Sequence, residues 1–94
     1  MTSITKPKNL DEAIALIDRD KIINNLSIRS AGNQGATFSE ILIWVSHELR
    51  KLGYFQESGA GVATATLLEE LSDQLRSWKV YERNSMPETW YSVK

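Results

Sequence analysis

Between Thr37 and Gly53 the apolar residues Phe38, Ile41, Leu42, Val45, Leu49 and Leu52 recur every three or four positions. At about 100° per residue they share one stripe of a helix. Thr37 and Glu40 stand at capping-box spacing, where hydroxyl and carboxylate each satisfy an orphan N–H at a helix start. Gly53 supplies the stop. Ile43 and Trp44 fall outside that stripe, so this helix carries more apolar surface than one core face requires.

A second strong pattern runs from Ala60 through Thr64, Leu67, Leu68, Leu71 and Leu75 to Trp78, with Glu69, Asp73 and Arg76 opposite. It predicts an amphipathic helix that starts near Ser58 or near Thr66 and fades around Tyr81 to Asn84, with Pro87 closing it off. Upstream, Asn9 is a fitting N-cap, Asp11 and Glu12 complement the helix dipole, and Leu10, Ala13, Ile14 and Ile17 form an inner stripe. The phase is lost after Asp18, which predicts a break near Arg19–Asp20. Residues 21–30 fit a second short helix through Ile22, Ile23 and Leu26, the reading favoured here. Leu26, Ile28 and Ser30 also alternate like a strand, but no partner strand is evident. Residues 31–36 read as a Gly-, Asn- and Gln-bearing loop, and residues 1–8 as a frayed arm.

The expected fold is therefore all-α: one domain over residues 1–94, a small bundle of three to four helices. Residues 85–94 hold Thr89, Trp90, Tyr91 and Val93, too much aromatic surface for a solvated tail, and form an extended aromatic segment expected to dock on the bundle or on a partner.

Composition narrows the function without naming it. The 94 residues carry 11 Lys and Arg against 12 Asp and Glu, a net charge of −1, with no acidic or basic block, so nothing draws the whole chain toward phosphates. With no cysteine, disulfides, thiolate zinc sites and cysteine nucleophiles are excluded. The polar N-terminus lacks a secretory h-region and no apolar run spans a bilayer, so the expectation is a cytoplasmic protein with no membrane role.

Catalytic arrangements fail on geometry. Ser46, His47 and Glu48 name a hydrolytic trio, but consecutive helical residues diverge by about 100° and cannot line up as nucleophile, base and orienting acid. His47 is the single histidine, and no metal-ligand spacing accompanies it. Glu69–Glu70 and Asp18 with Asp20 serve helix dipoles and solubility. The run Ser58-Gly59-Ala60-Gly61 before a helix could receive an anion through residues 58–64, yet it has neither the Walker lysine nor the full dinucleotide spacing. Close helix packing explains its small residues better. The expectation is no catalytic residue, no metal and no cofactor.

What remains is the surplus face of the central helix. Ile43, Trp44, His47, Arg50 and Lys51 combine an aromatic anchor with a polar and basic rim, the chemistry of protein interfaces, and Trp90 with Tyr91 offer a second contact. The functional expectation is a non-enzymatic protein-interaction module, an adaptor, inhibitor or assembly subunit binding a protein partner or its own copy. The alternative is a helical nucleic-acid-binding regulator using Arg76, Lys79 and Arg83. A helix-turn-helix over Phe38 to Trp78 would supply it, but the carboxylates on the outer face of the second helix would repel phosphates.

Overall fold

The computed structural model describes residues 7–31, 35–54, 57–81 and 86–94. Along them run α1 (Leu10–Leu16), α2 (Arg19–Ala31), β1 (Ala36–Thr37), α3 (Phe38–Lys51), α4 (Glu57–Glu70), a single 3₁₀ turn (Ser72–Gln74), β2 (Leu75–Val80) and β3 (Glu88–Val93). The three strands form an antiparallel sheet in the order β1-β3-β2. The architecture is thus mixed α/β, four helices on a small sheet, and not the all-α helical bundle that the periodicity predicts.

The starts of α1, α2 and α3 and the stop of α3 are local and follow the sequence. The Asn9 side chain caps α1 by accepting from the Glu12 N–H at 2.9 Å. Asp18 Oδ1 accepts from the Asp20 and Lys21 amides at 3.0 and 3.4 Å and opens α2, so residues 21–30 are helix and the break falls at Ile17–Asp18. Both halves of the capping box are made at α3: the Thr37 hydroxyl accepts from the Glu40 N–H and the Glu40 carboxylate from the Thr37 N–H. At its other end Tyr54 N donates to Leu49 O at 2.9 Å and Gly53 N to Arg50 O at 3.0 Å, a Schellman motif with Gly53 at φ +86.

The predicted long helix is where the expectation fails. Its stripe is real through Ala60, Thr64, Leu67, Leu68 and Leu71, all buried. After Glu70 the helix gives way to the 3₁₀ turn, and Leu75–Val80 is a strand rather than two further helical turns. Ser72 and Asp73 are weak helix formers whose side chains compete for the backbone. Trp78 and Val80 favour a pleated surface once a partner exists, and β3 is that partner. Leu75 keeps its helical spacing and its burial because the 3₁₀ turn swings the strand back onto the same core, whereas Trp78 is 41% exposed.

β3 is likewise no appendage to a bundle. Paired with β1 through Tyr91 and Trp90 and with all six residues of β2, it is the middle strand. Strand alternation sends Tyr91 and Val93, with their partners Ala36, Ser77 and Leu75, toward the helices. The core beneath them is built from Ile22, Leu26, Ile41, Val45, Leu49 and Leu67.

Ion pairs tie the helices together. Arg19 Nε donates to Glu70 Oε2 at 2.7 Å, while its Nη1 takes the Ile14 and Ile17 carbonyls at 2.7 Å, closing the end of α1 and binding it to α2 and α4. Arg29 of α2 pairs with Glu40, so the capping carboxylate of α3 also holds α2. No helix among the described residues is long and apolar enough to cross a membrane.

Candidate functional site

Helical geometry places 44, 47, 48 and 51 on one face of α3, since they are spaced three, four and seven apart. Lys21, Ile22 and Asn25 are spaced in the same way on α2. Where these two faces meet lies an open groove of about 410 Å³ lined by Lys21, Ile22, Asn25, Trp44, His47, Glu48 and Lys51. Ile22 is buried and forms the floor, Trp44 is half-buried against the edge of the core, and His47 stands in solvent.

The polar rim is organised around one carboxylate. Glu48, with a side chain only 15% exposed, accepts from Lys51 Nζ at 3.1 Å and from Lys21 Nζ at 3.4 Å. The Glu48 hydrogen bond raises the Lys51 pKa above its ordinary value. Two ammonium groups against one carboxylate leave the rim positive, and both lysine side chains are more than half exposed. An acidic group entering the groove would meet cations already held in place, beside an indole.

Of the residues singled out from sequence, Trp44, His47 and Lys51 come together here. Ile43 and Arg50 occupy the next row of α3, where Ile43 is 54% exposed and Arg50 is solvated. Trp90 and Tyr91 are far in role from this groove and from each other, because consecutive strand residues face opposite ways. Tyr91 packs on the core, where burial pushes its phenol pKa up, and Trp90 takes the outer face of the sheet. Sequence reasoning missed Lys21, Asn25 and Glu48. Their only signal is that Lys21 and Glu48 have opposite charge, and a separation of 27 residues hides the pairing.

The glycine run lies inside the first turns of α4, where Gly59 has a packing role and Gly61 meets nothing. A Cβ on Gly59 would come within 2.9 Å of the Tyr54 ring and 3.1 Å of Leu10 Cδ1, so the missing side chain is what lets Leu10 and Tyr54 close over α4. Among the described residues no group of three or more His, Asp and Glu side chains is placed to hold a metal ion. A second hollow, about 320 Å³, lies between α4 and the inner sheet face and is lined by Phe38, Leu68, Leu75, Ser77 and Tyr91 among others. Comparison of the chain with protein-family models, with curated proteins and with solved structures found no match.

Proposed function

We propose that this chain is a non-catalytic protein-interaction module, acting in the cytoplasm, whose α2–α3 groove receives an apolar side chain flanked by an acidic group of a protein partner. The observation that supports this reading is the groove itself: an indole wall from Trp44 over the Ile22 floor, with Lys21 and Lys51 at the rim. Interfaces concentrate their energy in such central aromatic residues bordered by polar groups. Exposed Ile43 extends the apolar surface beside it. The absence of cysteine suits a reducing compartment.

Duplex DNA is the reading this proposal displaces. In a helix-turn-helix the second helix of the motif enters the major groove. That helix would be α4, whose sequence contains no lysine or arginine and ends in Glu69 and Glu70. A helix without cations has nothing to exchange for phosphate counterions. Its exposed Val62, Ala65 and Thr66 suit protein contact instead.

The test is affinity capture from the native host with wild type, Trp44→Ala and Lys51→Glu, read by mass spectrometry together with a sizing measurement. A partner recovered by wild type should be lost with Trp44→Ala and weakened with Lys51→Glu, while thermal melts show both variants folded. Retention of the same partner by a folded Trp44→Ala protein would overturn the proposal.

A further inference from the structure

The outer face of the sheet holds a constellation that the groove does not use. Since Leu75, Ser77, Tyr91 and Val93 face the helices, alternation turns Arg76, Trp78 and Val80 of β2 and Glu88, Trp90 and Ser92 of β3 the other way. Trp78 and Trp90 are direct cross-strand partners. Lys94 N donates to Gln74 O at 3.0 Å, which carries the ladder one pair further and puts Lys94 diagonally beside Arg76 on this same outer face. The face therefore reads, from one end to the other, as two cations, two indoles, then Val80 and Glu88. Thr37, on the far side of Trp90, has its hydroxyl engaged by the α3 cap.

We propose that this face is a stacking platform for single-stranded nucleic acid. Bases stack on aromatic side chains regardless of sequence, and cations beside the rings take the phosphates. Neighbouring cross-strand residues lie about 5 Å apart, close enough for the two rings to serve adjacent bases. Arg76 and Lys94 at one end and Glu88 at the other give the platform a direction, with the phosphates drawn toward the cationic end. The expected helix put Arg76 and Lys79 on one element with Glu69 and Asp73. The strand separates them from those carboxylates and sets Arg76 beside the indoles.

A second copy of the chain fits this face less well. Two indoles and one valine offer roughly 150–250 Å² per aromatic ring, far short of the area that holds a specific dimer together. Stacking face to face would also bury Arg76 and Lys94 without an acidic partner for each.

Binding of fluorescein-labelled 12-nucleotide oligothymidine and oligouridine, followed by anisotropy at low and moderate salt, tests the proposal. Wild type should bind single strands more tightly than a duplex of the same length. Trp78→Ala should weaken binding roughly tenfold or more, as loss of one stacked base does. Arg76→Ala, an exposed change that leaves packing intact, should flatten the salt dependence by about one phosphate's worth, a slope change near 0.7. Circular dichroism establishes that each variant is folded, and Arg76→Ala decides the matter should Trp78→Ala fail to fold. No binding by wild type, equal affinity for duplex, or unchanged affinity in both variants would overturn it. So would sizing that shows a dimer sensitive to Trp78→Ala, since the face would then belong to a second copy.

Discussion

α3 and the β2–β3 hairpin are both short amphipathic elements against the same core, yet they owe their existence to different kinds of interaction. α3 is specified almost entirely within its own neighbourhood: Thr37 and Glu40 close its start, Leu49, Arg50, Gly53 and Tyr54 close its end, and Ile41, Val45 and Leu49 form its buried stripe. The hairpin has no such local definition. β2 presents four successive exposed residues, Arg76 to Lys79, and gains its structure from β3. β3 in turn is flanked on its other side by a β1 of two residues. The molecule is therefore robust in the first region, whereas in the second one residue can undo it.

The largest effect is expected inside the helical half. Ile41 is fully buried at the centre of the α3 stripe, and Ile41→Ala removes its methyl and methylene groups from a packed interior. Such truncations cost about 2–5 kcal/mol, depending on how far the surroundings collapse. Denaturant melts should show this loss as a lower midpoint for the entire domain, with helix and sheet signals moving together. If the sheet signal alone survived, the two halves would be separate cooperative units and the shared core would be refuted.

A smaller but more pointed effect belongs to Gly35. Its φ of +68 lies in the left-handed region, and a Cβ there would come 2.3 Å from the Tyr91 carbonyl oxygen and 3.3 Å from Ser92 Cβ. Gly35→Ala should therefore cost at least about 1–2 kcal/mol from the backbone conformation alone, with further displacement of β3. Hydrogen exchange is the discriminating measurement: amides of β3 and β1 should lose protection while those of α3 keep theirs. Equal loss in both halves would show that the sheet is not the locally vulnerable part.

That contrast also explains what could be read from the residues alone. The caps at Asn9 and Thr37, the Gly53 stop and the stripe from Ala60 to Leu71 are encoded within a few positions of where they act, and all are present. The sheet was illegible because its pairings join residues far apart in sequence: Ala36 with Tyr91, and Leu75 with Val93. Leu71, Leu75 and Trp78 fall at helical spacing by coincidence, since a 3₁₀ turn followed by a strand buries Leu75 as a helix would. Trp44, His47 and Lys51 could be placed on one side of α3 from spacing alone. The opposite wall of the groove could not, because nothing local links Lys21 and Asn25 to Glu48.

The smallest expected effect concerns the pin between the first two helices and α4. The Arg19 hydrogen bond lowers the Glu70 pKa below its ordinary value. A carboxyl group whose folded pKa is depressed contributes stability above its unfolded pKa, and that contribution is lost as the pH falls through the folded value. Glu70→Gln should thus melt slightly below wild type at neutral pH, and the gap should close as the solution is acidified beneath the ordinary carboxylate range. Glu70 is half exposed, so the gap is small and shrinks with added salt. Arg19→Ala should behave differently: besides the ion pair it removes the donors to the Ile14 and Ile17 carbonyls, leaving a deficit that acid does not erase. If the two variants instead converged on wild type together at low pH, Arg19 would act through its charge alone, and the closing of α1 would have to be credited to other residues.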